Sequence, residues 1–192
     1  MAPTLILTAV EHLPWVTPGD DLVPLVIAAT ASQGLVPEPG DILVVAQKVV
    51  SKAEDRLVAL AAVSPSTVAV KLAEETGKDA RLVELILSES TAIVRSRPGL
   101  IIAEHRCGHV LANAGIDASN IAQDDGEQVL LWPEDPDVSA TDLHQRYTKA
   151  YGFRVPVIIN DSMGRAWRLG TTGHAIGVAG LDPLWNQVGE HD

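Results

Sequence analysis

This sequence predicts an α/β fold in which helices and strands are mixed, and three observations carry the prediction. Short, nearly unbroken runs of branched apolar residues, at 42–46 and 155–159, have the length and composition of buried strands. Longer stretches opened by a polar cap residue and closed by glycine, at 22–31 and 64–75, have the length and punctuation of helices. Turns bearing glycine and proline separate the two kinds. The chain has 192 residues, 46% hydrophobic and 4% aromatic, so its interior is built mostly of Val, Leu, Ile and Ala. That is one ordinary domain over residues 1–192, or two small lobes sharing a core. Despite 15 Gly and 12 Pro, the apolar fraction excludes a collagen-like or disordered chain.

Residues 4–10 are apolar and rich in branched side chains and read as a first strand, broken by the turn at Pro18-Gly19-Asp20. Asp20 or Asp21 then caps a helix over 22–31, with Pro24 tolerable in its first turn and Gly34 as its stop. A turn at 37–41 leads into the strand 42–46, directly followed by Lys48 and Lys52. Ser64-Pro65-Ser66 and Asp79 open the next two helices, which reach Glu75 and Leu87. Residues 91–94 and 100–103 form a hairpin about Arg97-Pro98-Gly99, with a further extended piece at 109–112. A polar helix over 140–151, capped by Gly152, precedes the strand 155–159. From Gly164 onward the frequent glycines predict a loop-rich region where backbone approaches a ligand.

The formal charge of −11 repels phosphates at long range, which argues against non-specific nucleic acid and anionic membrane partners. One cysteine, Cys107, cannot form an internal disulfide, and the N-terminus lacks a basic signal-peptide region. With no apolar run long enough to span a bilayer, the expected setting is the cytoplasm.

Neither a P-loop nor a dinucleotide fingerprint is present, which excludes the standard forms of both sites. Two acidic motifs remain: Asn113-Ala114-Gly115-Ile116-Asp117-Ala118-Ser119-Asn120, and Asn160-Asp161-Ser162-Met163-Gly164-Arg165. Each sets an acid near a strand end, where a carboxylate suits a hard cation shared with substrate phosphates. The competing reading makes each Asp a turn or helix cap. Lys48 and Lys52 face phosphates or form an exposed basic edge; Arg165 and Arg168 bind anions or are solvated. His105, Cys107 and His109 would share one face of a regular strand as zinc ligands, but Gly108 interrupts it and no fourth ligand is evident. The preferred reading is a surface histidine pair around a buried thiol. Trp15, Trp132, Trp167 and Trp185 read as core or loop anchors, a tryptophan beside a nucleotide site being able to stack on a base.

In combination these motifs resemble the coenzyme F420-0:L-glutamate ligase (gamma-glutamyl ligase) family. The resemblance runs from Leu13 to Asp192 through Leu13-Pro14, the following Pro-Gly-Asp-Asp-Leu, Gly40-Asp41-Ile42-Leu43-Val44-Val45, Val50-Ser51-Lys52-Ala53-Glu54 and the two acidic motifs. It implies a gamma-glutamyl ligase-like fold of mixed sheets and flanking helices, and a homodimer. It also implies a ligase that uses GTP and Mg²⁺ or Mn²⁺, with K⁺ as a further candidate, to join L-glutamate to coenzyme F420-0 through an acyl phosphate. Residue by residue, Asp117 and Asp161 match the catalytic, metal-binding acids and Ser162 a metal-binding hydroxyl. Asn120 matches a nucleotide contact, and Leu13, Pro14, Trp15, Val16, Gln47, Lys48 and Lys52 match the remaining nucleotide-binding positions. Ser162 stands where threonine is usual and keeps the oxygen.

Family members continue past the equivalent of Asp192 through an acidic, glycine-rich segment, so the resemblance predicts weaker GTP binding and slower turnover for a chain without it. Two other classes stand beside the ligase: a non-catalytic nucleotide- or deazaflavin-binding subunit, separated by turnover, and a metal-dependent ligase for another carboxylate, separated by varying the acceptor acid.

Overall fold

A computed structural model describes residues 4–117, 127–164 and 167–189. Asn120 and Arg165 lie outside the described residues. The fold is α/β, with helices and, among the described residues, three small sheets interleaved along the chain.

Helix α1 spans Leu22–Ser32 and is capped by Asp21, whose carboxylate accepts the Val23 N–H at 3.1 Å. Strand β1, Leu43–Ala46, runs straight into helix α2, Gln47–Ala53, and then strand β2, Leu57–Ala59. Helices α3, Thr67–Thr76, and α4, Ala80–Ser88, start where expected: within the opening stretch 64–66 it is Ser66 that accepts from Ala69 N–H, and Asp79 accepts from Arg81 N–H. Strands β3, Ser90–Arg97, β4, Leu100–His105, and β5, Val110–Ala112, form an antiparallel sheet. Strand β6, Gln128–Leu130, pairs antiparallel with β2. Helix α5, Pro136–Tyr151, precedes strands β7, Val157–Gly164, and β8, Thr171–Ala179. In the third sheet β7 lies between β1, to which it is parallel, and β8, to which it is antiparallel.

Four expectations change. Residues 4–10 carry no regular structure, and Leu5, Ile6 and Leu7 are more than three-quarters exposed; among the described residues no ladder includes them. Branching favours extended backbone, but a strand also needs a neighbour to take its N–H and C=O groups. Helix α2 follows β1 without a loop, so Lys48 and Lys52 sit on a helix. Helix α5 begins earlier than expected, at Pro136, because Asp135 caps it and proline suits a first helical position. Finally, β8 occupies much of the expected glycine-rich loop region. Its Gly177 lies against the Pro136 backbone carbonyl, where a Cβ would overlap, so this glycine admits α5 onto the sheet.

Two apolar clusters result. One gathers α1, α2, α5 and the β1-β7-β8 sheet around Val157, Ile159, Tyr147 and Trp132. The other gathers α3, α4 and β4 around Val83, Ile86, Ile101 and Val129. The segment around β6 joins them, for Val129 and Leu131 belong to the second cluster and Trp132 to the first. Among the described residues no helix is long and apolar enough to cross a membrane.

Candidate functional site

Parallel pairing aligns Ala46 of β1 with Asn160 of β7, so the residues that follow each emerge at the same sheet edge. The carboxyl ends of parallel strands are where open α/β sheets bind ligands. Asp161 and Ser162 continue β7 here, while Lys48 and Lys52, four apart, share a face of α2.

Asp117 reaches this edge from another direction. Asn113, Ala114 and Gly115 adopt successive left-handed conformations, with φ of 53°, 52° and 72°. For Ala114 that costs about 1–2 kcal/mol, while asparagine enters this region more readily. The turn delivers Asp117 to an isolated bridge with Leu130, in which Asp117 N–H donates to the Leu130 carbonyl at 3.0 Å and Leu130 N–H returns a bond at 2.8 Å. The Lys48 ammonium lies 2.5 Å from Asp117 Oδ2.

Asp161 is held separately. Its Oδ1 accepts the Ser162 N–H at 2.7 Å and its Oδ2 accepts the Trp132 indole N–H at 3.0 Å. Burial pushes its carboxyl above the ordinary range, against the lowering effect of those two bonds; the Asp117 charge adds to the rise and the Lys48 charge opposes it. The two acids and Lys48 therefore form one electrostatic unit. Its donor set suits a hard divalent cation: two carboxylates, with a hydroxyl residue, Ser162, next to Asp161 in the chain, all oxygen. Among the described residues no group of three or more His, Cys, Asp or Glu could form a metal cage. Two carboxylates fit Mg²⁺, which keeps several waters and shares its shell with phosphates.

A cleft of about 320 Å³ is lined by Leu13, Pro14, Trp15, Val16, Lys48, Val49 and Lys52. Six of these seven, all but Val49, are positions that the family resemblance assigns to the nucleotide, and the fold brings them together. Lys48 belongs both to this cleft and to the acid pair. Lys52 Nζ lies 5.0 Å from the centroid of the 81%-exposed Trp15 ring, leaving an aromatic face and two ammonium groups along one wall. Neither lysine is a freely solvated edge charge. A larger cleft of about 460 Å³ is lined by Asp20, Glu54, Glu134, Asp135 and Asp142, with Arg146 bound to Asp21 and Asp142. Its carboxylates would repel a polyphosphate.

Gln47 is turned away from the smaller cleft. Its side-chain amide is buried and donates to Ser51 Oγ at 2.6 Å. The His-x-Cys-x-His segment also differs from expectation: His105 is fully buried, whereas Cys107 is exposed beyond the end of β4. The turn at Arg106–Gly108 breaks the strand's alternation, so the thiol faces outward. Three tryptophans, Trp15, Trp167 and Trp185, are at least 78% exposed, and Trp132 is fully buried. The role of Trp132 as a donor to Asp161 had no sequence signal beyond the rule that a buried indole seeks an acceptor.

The chain matches the family model described as F420-0:Gamma-glutamyl ligase over residues 11–192. It is 46% identical over 186 residues to a protein of Methanothermobacter thermautotrophicus named coenzyme F420:L-glutamate ligase, covering 97% of this chain and 73% of that one. The identically named protein of Methanopyrus kandleri is 46% identical over 190 residues, 99% of this chain and 72% of its own. That of Archaeoglobus fulgidus is 40% identical over 183 residues, 95% of this chain and 70% of its own.

Proposed function

Because this chain belongs to the F420-0:gamma-glutamyl ligase family, we propose that it joins L-glutamate to coenzyme F420-0 in a cytoplasmic reaction driven by GTP. The observation that carries the nucleotide half of this reading is Lys48, which lines the apolar and cationic cleft and contacts Asp117. A nucleotide lying along Leu13–Val16 would thereby present its phosphates to the acid pair.

A carboxylate does not condense with an amine in water without activation. A carboxylate oxygen of F420-0 attacks the γ-phosphorus of GTP, and the bond to the β-γ bridging oxygen breaks, giving an acyl phosphate and GDP. The glutamate nitrogen then attacks the acyl carbon, forming the amide and expelling phosphate as the amine gives up a proton. Asp117, Asp161 and Ser162 are the residues to hold Mg²⁺ or Mn²⁺, with K⁺ as an accessory monovalent cation. When bound, the divalent ion offsets charge between the phosphates and the attacking carboxylate. Lys48 and Lys52 neutralise phosphate charge and align the donor, and the apolar wall from Leu13 to Val16 excludes water from one side. Neither acid is assigned as a general base, because each serves as an anionic ligand.

Substituting Asp117→Asn or Asp161→Asn removes a charged ligand and retains the side-chain shape. Each variant is expected to fold as the wild type does and to lose metal-dependent GDP release in the presence of F420-0 and glutamate. Near-normal turnover in either variant removes that residue from the metal site; no turnover by the wild type with any acceptor favours a nucleotide- or deazaflavin-binding subunit.

A further inference from the structure

We infer that Trp132 is a positioning residue for the acid pair: its indole N–H orients Asp161 from the same short segment that fixes Asp117. This rests on the metal-binding reading above and names a residue that the reading does not include. Leu130 exchanges two backbone hydrogen bonds with Asp117, and two residues later Trp132 donates to Asp161 Oδ2. Residues 130–132 therefore set the relative placement of two carboxylates whose like charges disfavour their approach.

The indole is itself tightly held. Trp132 is fully buried, with His105 tilted against it at 4.7 Å between ring centroids and His109 edge-on at 5.4 Å. A Cβ at Gly115 would lie 2.5 Å from the indole Cε2 and Nε1, so the left-handed turn before Asp117 fits against this ring only as glycine. Arg56 Nε–H donates to the Trp132 carbonyl at 2.8 Å, and Leu131 N–H donates to the Arg56 carbonyl at 3.0 Å. An apolar side chain would fill the same volume, but it would have no donor for Asp161. An ionised carboxylate offers about four acceptor sites. The Ser162 N–H and the indole take one on each oxygen, leaving an oriented remainder for a cation.

The decisive variant is Trp132→Phe, which keeps an aromatic ring between His105 and Gly115 and removes the donor. Mn²⁺ uptake by the full chain, followed by the paramagnetic resonance of free Mn²⁺, should weaken by about 10–100-fold, the usual cost of losing a partner that orients a metal ligand. Ile86→Val, a buried change in the second cluster, should lower the melting temperature and leave Mn²⁺ uptake unchanged.

Uptake by Trp132→Phe equal to wild type overturns the positioning role and leaves the metal reading standing. Equal weakening in Ile86→Val overturns it too, since the effect is then general loosening. A wild type that takes up no more Mn²⁺ than Asp161→Asn overturns the metal reading and this inference together. If Trp132→Phe does not fold, the wild-type indole ¹⁵N–¹H resonance of Trp132 serves instead, identified by replacing the three exposed tryptophans one at a time. It should move in Asp161→Asn and on adding Mg²⁺; a stationary resonance overturns the inference.

Discussion

Glu89 follows helix α4 and carries the densest charge cluster among the described residues. Its side chain is 8% exposed, and Oε2 lies 3.0 Å from Arg56, 3.2 Å from Arg106 and 3.6 Å from His105 Nε2. Burial alone would raise this carboxyl; the nearby His105 ring and the Arg56 and Arg106 guanidinium groups outweigh it, leaving it below the ordinary glutamate range. Glu89→Gln keeps the shape and removes the charge. Removing one partner from a buried pair costs about 3–5 kcal/mol. Arg56 and Arg106 retain 20% and 33% side-chain exposure and can rehydrate in part. We therefore expect a loss of about 2–3 kcal/mol at neutral pH. For a chain of this length that lowers the melting temperature by about 4–12 °C.

The pH dependence has a definite sign. A carboxyl with a lowered folded-state pKa stabilises fully above its unfolded value, and the contribution disappears as pH falls through the folded value. The gap between wild type and Glu89→Gln in urea unfolding should be widest at neutral pH and narrow as pH falls below the ordinary glutamate range and through the lowered folded-state value, as the wild-type carboxyl protonates. A melting-temperature loss under about 2 °C at neutral pH, or a gap that persists unchanged in acid, would refute the account of Glu89 as a charge hub.

Two further outcomes are expected. Lys52→Ala should weaken GTP binding by about 10-fold or more, the worth of one charge-assisted contact, and leave glutamate binding nearly unchanged; calorimetry with each ligand separates the two, and unchanged GTP affinity places the nucleotide elsewhere. The chain should be a homodimer in reducing buffer, its exposed Leu5, Ile6, Leu7 and Trp185 giving apolar area for a symmetric interface. A monomeric mass by light scattering at micromolar concentration would contradict this.

The sequence by itself determined the elements whose information is local. Asp21, Ser66 and Asp79 mark helix starts because a cap acts on N–H groups two or three residues away. The runs leading to Ala46 and Ile159 declared themselves strands through unbroken apolar character. The same locality made the acids at Asp117 and Asp161 visible as candidates after apolar runs, although Asp161 lies within β7 and Asp117 in an isolated bridge rather than at strand ends. Only the tertiary structure decided which segments pair and which charges meet. Residues 4–10 have strand-like composition and no partner, while β8 has glycines that read as loop and pairs along β7. A strand exists through hydrogen bonds to a neighbour that its own residues do not specify. Likewise, the contacts of Lys48 with Asp117 and of Trp132 with Asp161 join residues far apart in the chain. Side-chain type sets what each group can donate or accept, but distance falls to a few ångströms only when packing closes the intervening loops, and electrostatics and hydrogen bonding depend on that distance.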